Sequence, residues 1–180
     1  MSAHELMDAG ELGGAGESSP PVIDPARFRH VLSHFASGVV VVTGIAGGRP
    51  AGLTCQSFTA LSLDPPMVLF CPSKASTSWP QLSTAPFLCI NILSHGQRRL
   101  SDAFARSGTD KFAGIGWTPA PHGGAPALDG AVAHIEARVA GCHDGGDHHI
   151  VTCRVESIAV TDGSEPLVFY RSRYHAVHQP

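Results

Sequence analysis

Five short segments carry side chains whose types and spacing suit chemistry. In Gly52-Leu-Thr-Cys-Gln-Ser-Phe-Thr-Ala-Leu-Ser62, polar residues interrupt a strand-like run. Strand geometry would put Thr54 and Gln56 on one face. Neutral groups of this kind read a heteroaromatic ring that is polar at one end and apolar at the other. They also suit an ordinary half-exposed strand. In Cys71-Pro-Ser-Lys-Ala-Ser-Thr-Ser-Trp-Pro80, four hydroxyls and Lys74 precede an expected short helix. Hydroxyls and free N–H groups at a helix start bind anions, and a plain capping loop has the same composition. His143-Asp-Gly-Gly-Asp-His-His149 matches no common zinc or iron spacing. Its Gly145-Gly146 pair reads as a turn that delivers His148 into the next strand. Near the end, Phe169-Tyr-Arg-Ser-Arg-Tyr174 combines aromatics with arginines, which contact phosphates or stack on bases. Asp110-Lys-Phe-Ala-Gly114 places Lys111 and Phe112 in a loop.

Several standard chemistries leave no mark. The chain has neither a GxxxxGK[ST] loop nor a GxGxxG turn. It has no GxSxG, and no Ser or Cys stands in a diagnostic nucleophile pattern.

The elements that must position these residues are mostly strands. Asp24-Pro25 opens a helix, with Phe28, Val31, Leu32 and Phe35 at helical spacing and Gly38 as its stop. Strands follow at 39–43, 52–61 and 67–71, and a small helix at 76–84. Then come a strand at 87–93 and a helix at 97–106. Residues 108–127 hold five Gly and three Pro and read as a long irregular loop. In the strand from Ala131 to Val139, the small and apolar Ala133, Ile135, Ala137 and Val139 alternate with His134, Glu136 and Arg138. That predicts one dry and one wet face. Strands at 148–158 and 167–170 complete the set. Recurrent strands with two or three appended helices fit an antiparallel β-barrel better than an alternating βαβ sheet.

Bulk composition bounds the function. The chain has 180 residues, 43% of them hydrophobic, and a net charge of −3. That is one domain with a core of its own. No Lys/Arg stripe marks a nucleic-acid partner, and no apolar run is long enough to span a membrane. Residues 1–21 carry Glu5, Asp8, Glu11 and Glu17 but no Lys or Arg. They lack the basic start and apolar stretch of a secretory signal. We expect a disordered tail over 1–22, a folded domain over 23–176 and a short tail over 177–180. Five scattered cysteines read as reduced thiols of a cytoplasmic protein.

Taken in order, the segments resemble the short-chain flavin reductase family over about residues 24–175. The matching pieces are Phe35-Ala-Ser-Gly-Val39, Gly52-Leu-Thr-Cys-Gln-Ser-Phe58, Leu61-Ser-Leu-Asp-Pro-Pro66 and the Ser/Lys/Trp loop at 73–79. Phe87-Leu-Cys-Ile-Asn-Ile-Leu93, Asp110-Lys-Phe-Ala-Gly114, Gly146-Asp-His148 and Pro166-Leu-Val-Phe-Tyr-Arg171 continue the series. The resemblance implies a mainly β, antiparallel, Greek-key split barrel that binds FMN or FAD and takes NADH or NADPH as co-substrate. It implies a homodimer that serves a partner flavin-dependent monooxygenase through diffusing reduced flavin. The partner would act on aromatic or steroid rings. A flavin- or haem-binding carrier without turnover is the alternative on the same barrel. A pyridoxamine-phosphate-oxidase-like enzyme would need more Arg and Lys.

Carried over by resemblance, Thr54, Cys55, Gln56 and Ser57 belong to the flavin ring site, and Ser73, Lys74 and Ser78 to the phosphate. Ser37, Gly38 and Asn91 would line the same cleft, with Lys111 and Phe112 closing over it. His148, Arg171 and Tyr174 would serve the nicotinamide nucleotide, His148 as the positioning group. Cys55-Gln56 stands where smaller or amide residues are common. Ser172 stands where a Gly is frequent, and Ser tolerates positive φ poorly.

Overall fold

A computed structural model of the chain describes residues 22–177. Of the tails expected over 1–22 and 177–180, residues 1–21 and 178–180 lie outside the described residues. The largest sheet has seven antiparallel strands. β2 (Val40–Ala46) lies between β3 (Arg49–Cys55) and β6 (Leu88–Ile92). β6 pairs with β9 (Ala133–Gly145), β9 with β10 (His148–Val160), and β10 with the hairpin of β5 (Pro66–Phe70) and β4 (Thr59–Leu63). The predicted 52–61 strand is therefore two strands, broken at Gln56–Phe58.

The sheet curls until its two ends share one core. Leu53 and Cys55 of β3 pack with Val68 and Phe70 of β5, and Trp79 and Leu82 plug the middle. Those two residues belong to the four-residue helix α2 (Trp79–Leu82). At the rim, Ser57 Oγ accepts from Cys71 N–H at 2.9 Å and faces the Cys71 carbonyl at 3.1 Å, joining the two ends.

β2 is buried on both faces, which explains its continuous β-branched run. Val40 and Val42 face the inner core, while Val39 and Val41 face a second cluster. That outer cluster lies under a covering layer. The layer contains α3 (Arg98–Ala105), a hairpin of β7 (Trp117–Pro119) and β8 (Pro126–Leu128), and a small sheet. The small sheet joins β1 (Ser37–Gly38), β11 (Val168–Tyr170) and β12 (Arg173–His175).

Two cross-strand rows fasten this layer to the barrel. In the row Thr54–Val41–Asn91–His134, Thr54 Oγ1 donates to Ser101 O at 2.7 Å, and Asn91 Oδ1 accepts from Leu128 N–H at 2.8 Å. His134 Nε2 lies 3.0 Å from Leu128 O. In the row Gly52–Thr43–Cys89–Glu136, Thr43 Oγ1 donates to Pro126 O at 2.5 Å. Glu136 accepts from the N–H groups of His122 at 3.0 Å and Gly123 at 2.7 Å. The face of β9 expected to be wet is therefore covered at Glu136, whose carboxylate is buried on backbone amides. The expected irregular loop contains β7 and β8, because these rows supply its hydrogen-bond partners.

Helix α1 (Pro25–Leu32) forms as predicted at its start, where Asp24 Oδ1 accepts from Arg27 N–H at 2.7 Å. It stops at Ser33, five residues before Gly38, which sits in β1 instead. None of its residues is buried. The β9–β10 turn forms at Gly146-Asp147, with Gly146 at φ 80°, the positive value a tight hairpin needs there. The β11–β12 turn uses Arg171 at φ 48° and Ser172 at φ 60°. Ser172 thus keeps the left-handed path that a Gly would take without strain.

Gly52 fixes how closely α3 approaches. A Cβ there would lie 2.4 Å from the Phe104 ring. We expect Gly52→Ala to lower unfolding free energy by about 1–3 kcal/mol, measured by urea denaturation.

Candidate functional site

At the rim where β3 ends, barrel and covering layer leave a cleft of about 540 Å³. This is within the range of about 300–1,000 Å³ usual for small-molecule sites. One wall is Leu53, Thr54, Cys55, Gln56 and Ser57. The loop from Cys71 to Ser78 and His148 form another. The end of α3, Lys111, Phe169 and Tyr174 complete it.

Nine expected site residues meet here: Thr54, Cys55, Gln56, Ser57, Ser73, Ser78, Lys111, His148 and Tyr174. Several are already engaged. The Thr54 hydroxyl is given to Ser101, and Cys55 Sγ lies 3.0 Å from Ser57 Oγ. Tyr174 donates to Asp102 at 2.8 Å and stands 3.0 Å from Ser101 Oγ. That pins the β11–β12 hairpin to α3 and leaves the tyrosine ring, backed by Phe169, to face the cleft. Desolvation holds the Tyr174 hydroxyl above its ordinary pKa, so it stays protonated. His148 Nδ1 sits 2.7 Å from Asp147 Oδ1, which fixes the ring direction. The same pairing holds the Asp147 carboxyl below its usual range. Ser73 bridges to His148 in the backbone, which ties the hydroxyl loop to the hairpin.

Lys111 is central to the site. Its ammonium donates to Phe104 O at 2.8 Å, Ser78 Oγ at 2.8 Å and Gly52 O at 3.1 Å. None of these partners is a carboxylate. Burial pushes its pKa below the ordinary lysine value. Because Ser78 accepts from Lys111, its own hydroxyl hydrogen is left to point at a ligand.

The other expected residues lie elsewhere. Lys74 is drawn away from the cleft by Asp144, 2.5 Å from its ammonium, and this contact depresses the Asp144 pKa. The cation beside the hydroxyl loop is Lys111, brought from a distant loop. Asn91 is fully buried and spent on Val41 O, Thr43 Oγ1 and Leu128 N–H. Phe112 packs edge-on against Phe104 and Trp117 in the outer cluster and does not cover the cleft. Ser37 and Gly38 pair with Phe169 and Val168, one strand behind the cleft wall. Arg171 points into a separate cavity beside α1. Missed from sequence was Phe104, an apolar residue indistinguishable from core until the layers are assembled; Phe169 lies in the aromatic segment read as a candidate.

The donor set fits a flavin. Neutral groups at Gln56 and Ser57 suit the ring's polar end. The hydroxyls of 73–78 with Lys111 suit a phosphate. Among the described residues, no cluster of three metal-binding side chains is present. No helix of the described residues is long and apolar enough to cross a membrane.

A family model, the flavin reductase like domain, matches residues 32–178. The chain belongs to this family. The reductase subunit HsaB of a flavin-dependent monooxygenase from Rhodococcus jostii is 44% identical over 93% of this chain and 85% of its own. Among solved structures, a nitrilotriacetate monooxygenase component B homolog from Mycobacterium thermoresistibile shares the fold. Its TM-score is 0.81 at 44% identity, covering 85% of this chain and 86% of that one. The Streptomyces globisporus NADH:FAD oxidoreductase SgcE6, solved with NAD and FAD fragments, also gives 0.81, at 33% identity over 88% and 98%. The curled seven-stranded sheet and its covering layer are thus the flavin reductase split barrel.

If Lys111 ties this site together, Lys111→Met should lower stability by about 1–3 kcal/mol through orphaned acceptors, measured by urea denaturation. Flavin affinity should fall in the same variant, read by flavin fluorescence.

Proposed function

We propose that the chain is an NADH-dependent flavin reductase that reduces FMN or FAD and supplies reduced flavin to a flavin-dependent monooxygenase, one acting on aromatic or steroid rings. The observation that carries this is the single cleft joining neutral ring-reading groups to a hydroxyl loop with one ammonium. Family membership supports the same reading. Gln56 and Ser57 would hold the flavin's polar end, and Ser73, Ser78 and Lys111 its phosphate. When held there, a flavin would supply the acceptor for hydride from a reduced nicotinamide. The chain's part is to orient the two rings and exclude water. His148, fixed by Asp147 on the open side of the cleft, positions the nicotinamide nucleotide, with the Tyr174 ring opposite. The chain's five cysteines are unpaired, which suits a reducing cytoplasm.

The working unit is a homodimer that buries the apolar side of α1 and leaves the side bearing Ala26, Arg29 and Ser33 open. Its support is the apolar row on that helix. Phe28, Val31 and Leu32 on α1, with Phe35 just past its end, are 51%, 60%, 54% and 81% exposed in one copy, although their spacing is that of a buried face. Contiguous apolar surface of this kind marks an interface.

NADH mixed with the protein and FMN or FAD should be oxidised at 340 nm, and no turnover with any flavin would overturn the reading. His148→Ala should raise the KM for NADH about tenfold while flavin affinity holds, as expected for loss of one positioning contact. Light scattering after size exclusion should give a dimer for the wild type and a monomer for the double substitution Phe28→Glu, Val31→Glu.

A further inference from the structure

We propose that the cavity between α1 and the β11–β12 turn is a second binding site, for a phosphoryl group. It measures about 590 Å³ and is lined by Arg29, His30, Ser33, His34, Arg171 and Ser172, with Ala26. None of these residues carries a carboxylate. Neither arginine has an ion-pair partner among the described residues.

The arrangement is built. Arg171 Nη2 donates to His34 Nε2 at 2.8 Å, and His34 Nδ1 donates to His30 O at 2.9 Å. One neutral tautomer satisfies both contacts and leaves the rest of the guanidinium fork free. Arg171 N–H donates to Ser33 O at 2.8 Å, and its guanidinium carbon lies 5.5 Å from the Tyr170 ring centre. The backbone that aims it is left-handed at both Arg171 and Ser172. Strain of this kind persists where the surroundings hold it and concentrates at ligand sites.

A purely structural reading explains only half of this. The C-terminal end of α1 favours cations, which accounts for Arg29 and His30. It does not account for a second guanidinium delivered on a strained turn from another element. An anion lying between the two would be attracted by both. A phosphoryl group matches the planar fork of Arg and the donors beside it. The turn belongs to the hairpin whose Phe169 and Tyr174 line the cleft. The phosphoryl group can therefore come from the AMP half of FAD, from the nicotinamide nucleotide, or from free phosphate.

The test is a calorimetric titration of the full chain, without flavin, with inorganic pyrophosphate at low salt. Binding is expected. It should weaken by about tenfold or more in Arg29→Ala and in Arg171→Ala, the effect of losing one charge-assisted contact. Arg154→Ala, on the far strand β10, should bind as the wild type. Arg29 lies on an exposed helix face, so its variant keeps the fold even if the turn variant does not. Displacement of pyrophosphate by FAD but not FMN would name the AMP half, displacement by NADH the nucleotide, and displacement by neither free phosphate. Failure of the wild type to bind, or unchanged binding in Arg29→Ala, overturns the site. The readout involves no turnover, so it stands or falls apart from the reductase reading.

Discussion

One ammonium group holds the site together. Lys111 reaches from an irregular loop to a β3 carbonyl, the Ser78 hydroxyl and the last turn of α3. Each acceptor belongs to a different element, and each element forms part of the same cleft. The α3 carbonyl lies at the negative end of a helix, where a cation is favoured. With no carboxylate opposite, the charge is not cancelled, and because all three N–H donors are engaged within the chain it acts on a bound anion through space. Partial burial, which lowers the lysine pKa, reflects the cost of keeping it there. The three hydrogen bonds offset that cost.

The barrel would be of little use without its covering layer, because the cleft lies between the two. The layer is fastened less by apolar contact alone than by buried polar side chains meeting backbone groups. Thr43, Asn91 and Glu136 are all buried, and each is hydrogen-bonded to the loop above it. In a low-dielectric setting an unpaired group would be costly, so these contacts specify one docking position. Gly52 sets the distance, since the Phe104 ring occupies the space of its missing side chain.

Much of this was legible in the residues. Runs of β-branched and apolar residues marked the strands, and Gly146 marked the long hairpin. The hydroxyl loop at 73–78 and the polar end of β3 were recognisable as one site once the family resemblance was added. What stayed hidden depended on distant partners. Lys74 sits beside the hydroxyls in sequence, but Asp144 arrives through the β9–β10 hairpin and takes its charge. Lys111 lies 33 residues from Ser78, so only the fold reveals it as the cation of the loop. Glu136 looks solvent-facing in an alternating strand, because the amides that bury it come from a segment with no strand signal. Asn91 reads as a polar residue near a cleft, yet its amide is used up inside the layer contact.

The side chains around the cleft also bear on the kind of chemistry it supports. The buried thiols Cys89 and Cys153 are pushed up to about 12 by desolvation, with Glu136 adding to the effect at Cys89. They remain protonated and are poor nucleophiles. Of the two thiols that line the cleft, Cys55 and Cys71, Cys55 contacts a hydroxyl, and the cleft histidine is paired with an exposed aspartate. Nucleophilic catalysis would need a nucleophile within hydrogen-bond reach of a base that a third group orients. Here the base has its orienting aspartate but, among the described residues, no hydrogen bond from its ring to a Ser or Cys. Hydride transfer between two bound rings asks for neither, only for ring geometry and a dry contact. Phe169, Tyr174 and the inner wall of β3 line the cleft with flat and neutral surfaces. The chain's polar effort is spent instead on holding two layers at a fixed separation.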